Sequence, residues 1–197
     1  MHDPIPRIHS LARISRDSPR IEAAALAVLS DRAKLVFRGR TSSWSVAGEA
    51  FGVDLPRTIN RFHSKGGRTV YCLGPDEWLL EAADEDPAGV YAALSLSLQS
   101  HACSLVDVSH RSDGLQISGP MSGYVLNHGC PLDLSEQAFP VGMCTRTVLG
   151  KAQIMLWRPE RDSFRIDVWR SFAPYVWALL DEARQELRRP DDSARPN

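Results

Sequence analysis

The chain has 197 residues, of which 43% are apolar and 24% charged, with a formal net charge of −1 and an isoelectric point near 6.6. That is the make-up of an ordinary globular fold of one domain, or of two small halves around a shared core. So balanced a charge gives no drive toward nucleic acid or anionic lipid, and no apolar run approaches the ~20 residues of a membrane helix.

The N-terminus, MHDPIPRIHSLARI, carries two early prolines and no apolar h-region, so it does not read as a secretory signal. Residues 1–30 are expected to form an arm, loosely packed over its first twenty residues, and residues 190–197 a frayed tail. Four cysteines (Cys72, Cys103, Cys130 and Cys144) are scattered without a CxxC, the pattern of buried, reduced thiols in a cytoplasmic protein.

Between the ends, strands alternate with helices. Residues 34–38 read as a short strand and 43–51 as a helix. Residues 67–73 and 78–82 form a hairpin across Gly74-Pro75-Asp76-Glu77. A helix over 86–98 follows, capped by Asp84 or Asp86, with Pro87 tolerated in its first turn. The order then starts again, with strands at 105–109 and 115–118, a helix at 120–128, and a meander of 143–148, 152–157 and 164–169. In the last helix Ser171 is the expected N-cap, Phe172, Val176, Leu179, Leu180, Ala183 and Leu187 share one face, and Pro190 is the stop.

The two runs match in wording as well as order. FRGR at Gly39 resembles ISGP at Gly119, 80 residues on, and FGVDLP at Asp54 resembles CPLDL at Asp133, 79 residues on. PDEWLLEA and RDSFRIDV then align Trp78 with Phe164. The spacing predicts an α+β fold of two pseudo-repeated β-α-β-β-α-like halves, 31–104 and 105–189, with mainly antiparallel sheets and packed helices. Chance likeness between short turns is the competing reading.

Groups able to run a reaction are sparse. Ser109 and His110 are adjacent on an expected strand and point to opposite faces, so they do not pair as nucleophile and base. His63, His101 and His128 have no metal-ligand spacing with another His, Cys or carboxylate, no GxGxxG follows a strand, and Gly150-Lys151 is a hairpin turn. Cys144 beside Arg146 reads as an inert, partly buried thiol. Arg111, Arg146, Arg158 and Arg170 are the candidates for gripping an anion, each with an internal Asp or Glu as the alternative partner. Asp107, His110, Arg111 and Arg146 make up the weak ligand-pocket set, with Asp107 expected to bond loop amides. On the strand at 164–169 the core face is Phe164, Ile166 and Val168, which leaves Arg165, Asp167 and Trp169 on the other side. Trp169, Arg170, Phe172, Tyr175 and Trp177 thereby become a candidate partner interface, the alternative being a second layer of the same chain.

The runs DVSHRSDGLQISGP, CPLDL, FPVGMCTRTVLGKAQIMLWR and DSFRIDVWRSFAPYVWALLDEA, with GPDEWLL earlier, resemble the gamma subunit of heterotetrameric sarcosine oxidase over about residues 32–183. The resemblance implies an accessory, non-catalytic chain in a complex with alpha, beta and delta subunits. Such complexes oxidatively demethylate sarcosine to glycine, form hydrogen peroxide, and pass the one-carbon unit to tetrahydrofolate. FAD, FMN, NAD and tetrahydrofolate are then expected on the other subunits, with no cofactor and no metal on this one. The resemblance also implies a fold similar to the folate-binding aminomethyltransferase (glycine-cleavage T-protein) superfamily. No counterpart of that superfamily's catalytic aspartate is found, and of the KGCYxGQE-like motif of related iron–sulfur assembly proteins only Gly142 and Cys144 have a comparable place. No catalytic residue is therefore carried over. The rival functions are a stand-alone folate-binding one-carbon transferase and an assembly protein.

Overall fold

The computed structural model describes Leu11 and residues 14–188. Its strands are β1 (Ala25–Val28), β2 (Arg32–Gly39), β3 (Phe62–Lys65), β4 (Arg68–Cys72), β5 (Glu77–Ala83), β6 (Cys103–Asp107), β7 (Ser112–Ser118), β8 (Cys144–Leu149), β9 (Ala152–Glu160) and β10 (Ser163–Trp169). The helices are α1 (Thr41–Phe51), α2 (Pro87–Leu98), α3 (Ser122–Asn127) and α4 (Ala173–Gln185).

Two five-stranded sheets result, ordered β3-β4-β5-β2-β6 and β8-β9-β10-β7-β1, with every named pairing antiparallel. The orders coincide when β2, β3, β4 and β5 are matched to β7, β8, β9 and β10. The outer strands are exchanged. β1 precedes β2 in the chain yet pairs with β7, and β6 precedes β7 yet pairs with β2. Each half is thus a β-β-α-β-β-β-α unit whose leading strand completes the other half's sheet.

Alternation along each strand sorts residues into layers. Ala33, Leu35 and Phe37 of β2 join Trp78, Leu80 and Ala82 of β5 under α1 and α2 in one core. Phe164, Ile166 and Val168 of β10 join Leu115 and Ile117 of β7 under α3 and α4 in a second. The opposite faces meet each other around Tyr71, Leu79, Cys144, Met155 and Trp157. The order of layers is helix, sheet, sheet, helix, which agrees with the expected α+β class.

Several local expectations are corrected. The second half's first strand was expected at 105–109; β6 ends at Asp107 and belongs to the first sheet. Of the arm expected over residues 1–30, β1 is a sheet strand and Leu11 is buried in the second core. Residues 18–24 are clamped by Arg184 of α4, which donates to Ser18 Oγ at 2.6 Å, Pro19 O at 2.8 Å and Ala24 O at 3.2 Å. The tail at 190–197 lies outside the described residues. Cys103 is exposed, against the expectation of four buried thiols, because β6 is an edge strand.

Asp86, of the two acids considered, caps α2, its carboxylate accepting from the Gly89 N–H at 2.9 Å. α4 starts later than expected, after Phe172, with no side-chain cap. From Ser171 the third helical position would be Pro174, which has no N–H to offer a capping oxygen.

The repeated glycines mark the ends of the matched strands β2 and β7. A Cβ on Gly39 would meet Ser43 Oγ at 2.3 Å; one on Gly119, whose φ is +121°, would lie 2.6 Å from the carbonyl oxygens of Glu22 and Ala23. Gly119→Ala is expected to cost about 2–4 kcal/mol in urea unfolding, from backbone strain plus a clash with main chain. Gly66→Ala, at φ +58° with nothing within 4 Å, should cost only about 1 kcal/mol. Equal losses would contradict this account of the repeat.

Candidate functional site

Polar chemistry collects in the seam between the sheets. On the inner face of the second sheet three cross-strand rows step outward. Cys144, Trp157 and Arg165 form the first, and Arg146, Met155 and Asp167 the second. The third pairs Val148 with Gln153, with Trp169 one step past the Val168–Ile154 pair. The first row packs with Tyr71 and Leu79 of the first sheet.

The second row makes ion pairs across the seam. Lys34 Nζ of β2 lies 2.7 Å from Asp167, their side chains only 5% and 7% exposed. The ammonium also reaches Ser112 O at 3.4 Å and Oγ at 3.3 Å. Arg146 donates to Glu77 of β5, which Arg38 grips as well. Burial works to raise the Glu77 carboxyl, but the hydrogen bonds and charges of the two arginines outweigh it and hold the group below the usual range.

Asp167 lies 86 residues after Glu81, the interval that also separates Phe164 from Trp78. Glu81 is buried in the same seam, accepts from Tyr71 OH at 3.0 Å, and has Arg32 at 3.6 Å and Arg165 at 3.8 Å. Burial, reinforced by the charge of Asp167, raises its carboxyl against the pull of Arg165, Lys34 and Arg32. Equivalent positions of the two halves thus put an acid into the shared layer.

The third row is left uncovered. It forms the lip of a cleft of about 480 Å³, walled by Val36, Leu79, Val108 and Met155 and reached by Lys34, Arg111 and Arg146. Of the expected ligand-pocket set the cleft contains Arg111 and Arg146 but neither Asp107 nor His110. Asp107 instead accepts from Ser109 N at 2.9 Å and Oγ at 2.6 Å, local bonds that with His110 hold its carboxyl low against the effect of burial. Ser109 lies in the turn after β6, where its Oγ accepts from Lys34 N at 2.9 Å.

The other arginines serve the fold. Arg158 is buried, donating to the carbonyls of Leu134 at 3.2 Å and Phe139 at 2.8 Å. Arg170 Nε sits 3.1 Å from buried Asp113. Burial, with Cys72 nearby, pushes the Cys144 thiol up to about 12, so it is protonated at neutral pH. Its sequence neighbour Arg146 is turned to Glu77. Among the described residues no three His, Cys, Asp or Glu side chains converge as a metal would require.

The candidate interface divides. Trp169 is 51% exposed, and Phe172 and Tyr175 are exposed with it. Trp177 is 1% exposed, inside the second core, and is withdrawn as a docking residue. The buried stripe of α4 is Ala173, Val176, Trp177, Leu180, Ala183 and Arg184. It is centred nearer Trp177 than sequence spacing placed it, because Arg184 turns inward to hold residues 18–24.

The model of the sarcosine oxidase gamma subunit family matches residues 40–186. The gamma subunit of sarcosine oxidase from Corynebacterium sp. (strain U-96) is 35% identical over 139 residues, 70% of this chain and 67% of that one. That from Corynebacterium sp. (strain P-1) is 31% identical over 148 residues, 75% and 72% of the two chains. The chain belongs to the sarcosine oxidase gamma subunit family.

The match sets aside the stand-alone transferase and the assembly protein. A solved chain of the heterotetrameric sarcosine oxidase from Corynebacterium sp. U-96 superposes with a TM-score of 0.83 at 28% identity, over 92% of this chain and 96% of that one. The glycine cleavage system aminomethyltransferase T from Bartonella henselae gives a TM-score of 0.64 at 15% identity, over 80% of this chain and 45% of that one, which shows a shared fold.

In this gamma chain the Lys34–Asp167 pair joins the two halves. Lys34→Met alone is expected to cost about 3–5 kcal/mol by stranding a buried carboxylate. The double variant Lys34→Met/Asp167→Leu should recover most of that loss in denaturant unfolding. A double variant as unstable as the single one would show that the loss does not come from a stranded carboxylate.

Proposed function

We propose that this gamma chain is a non-catalytic accessory that docks, in the cytoplasm, onto the alpha, beta and delta subunits of its oxidase. The assembled enzyme oxidises sarcosine to glycine, forms hydrogen peroxide, and hands the one-carbon unit to tetrahydrofolate. FAD, FMN, NAD and tetrahydrofolate are held by the other subunits. In support, the seam's acids are engaged with basic groups of the same chain, while apolar surface is left for partners to cover.

The observation that carries this reading is a gap in the charge pattern. Residues 87–106 contain no Asp, Glu, Lys or Arg, yet fourteen of the twenty are exposed. They form α2 and the edge strand β6, with Tyr91, Leu96 and Val106 open to solvent. α4, the matching helix of the other half, carries Asp181 and Glu182 toward its outer side. A surface helix without charges fits contact with another chain better than contact with water. Trp169, Phe172 and Tyr175 supply aromatic anchors elsewhere.

Trp169→Ala with Tyr175→Ala should weaken capture of the partner subunits, each buried anchor contributing about 2 kcal/mol. Native mass spectrometry of the tagged chain, co-expressed with those subunits, would read this as loss of the assembled species. Capture at the wild-type level would remove the aromatic surface from the interface.

A further inference from the structure

We infer that the cleft between the sheets receives an acidic side chain, carried on an apolar segment of another oxidase subunit. This reading rests on the docking role proposed above. Its first ground is charge. Lys34 and Asp167 neutralise each other at the floor, and Arg146 shares a single carboxylate, Glu77, with Arg38. Arg111 stands exposed at the mouth and, among the described residues, makes no ion pair or hydrogen bond through its side chain. The charged side chains that line the cleft are therefore three cations, Lys34, Arg111 and Arg146, against one carboxylate, Asp167, and a guanidinium beside apolar walls favours a carboxylate it can grip in two places.

The second ground is shape. The cleft, about 480 Å³, is larger than any one side chain and takes a short segment. Its lip carries the exposed apolar side chains Val148 and Trp169 beside the amide of Gln153. β6 and β8 are both edge strands of their sheets. Val106 of β6 is exposed and sits opposite Val36, which lines the cleft. A polypeptide covers the lip and meets an open strand edge at once, which a free small acid does not. The unpaired charge stands at the mouth beside the apolar lip, so an acidic residue flanked by apolar ones satisfies both.

The test is Arg111→Glu in the chain co-expressed with its partner subunits. The Arg111 side chain holds nothing together, so folding is preserved. Retention of the variant should fall about tenfold or more, and the salt dependence of assembly should flatten, since the reversed charge repels the incoming acid. Arg111→Lys should keep most of the retention. A photo-crosslinking amino acid at Val148 should join a partner peptide that contains Asp or Glu. Wild-type retention and salt dependence in Arg111→Glu would overturn the inference, as would a crosslink to no partner peptide or a wild-type chain that carries a small acid in its native mass. A wild-type chain that captures no subunit would overturn the docking role along with it; a normal wild type beside an unaffected Arg111→Glu would overturn the cleft reading alone.

Discussion

A buried ion pair across the seam, Lys34 with Asp167, lets two sheets that each have a helix-covered core close on one another. The faces that meet there are half apolar and half charged. Apolar groups at Tyr71, Leu79, Met155 and Trp157 supply contact, while charges taken out of water are tolerable only when met by opposite charge and hydrogen bonds. Lys34, Arg32 and Arg165 meet Asp167 and Glu81 in one part of the seam, and Arg38 and Arg146 meet Glu77 in another. Geometric demand of this kind fixes how the halves sit, because a shift of one residue along β10 would present Ile166 or Val168 to Lys34.

Strand exchange adds a topological tie to the electrostatic one. β1 cannot leave the second sheet, nor β6 the first, without opening a row of ladder hydrogen bonds. The halves are therefore parts of one folding unit. The two edge strands differ in consequence. β1 turns Leu26 and Val28 toward the second core, whereas β6 is exposed along most of its length and runs into the charge-free stretch that includes α2. Of the matched helices α2 and α4, only α4 has been given charges suited to water.

Much of this was legible in the sequence. The alternation of β10 left a polar face for a partner or for a second layer of the same chain to cover; Asp167 is covered by that second layer, while Trp169, at its end, is exposed. The β4–β5 hairpin and the matched glycines were readable because turns and close backbone approach demand particular residues. Strand exchange was not readable, since ALAV and CSLVD are too short to show which β-partner they serve. The seam's ion pairs were missed because they join positions far apart in the chain; Arg32, Lys34 and Arg38 on one face of β2, with Glu81 and Glu77 opposite on β5, were the available hint. Trp177 was read as a docking residue but is buried, and the Arg184 guanidinium, on the same buried stripe, reaches main-chain carbonyls of residues 19 and 24.

The central claim is that this gamma chain folds around its own charges and leaves uncharged surface for its partners. Hydrogen exchange, compared between the free chain and the assembled oxidase, tests it most directly. The account predicts added protection over residues 87–106, at the Val148–Trp169 lip and around Phe172 and Tyr175, with the charged stretch of α4 at Asp181 and Glu182 unchanged. Protection confined to α4, with 87–106 exchanging as in the free chain, would contradict it.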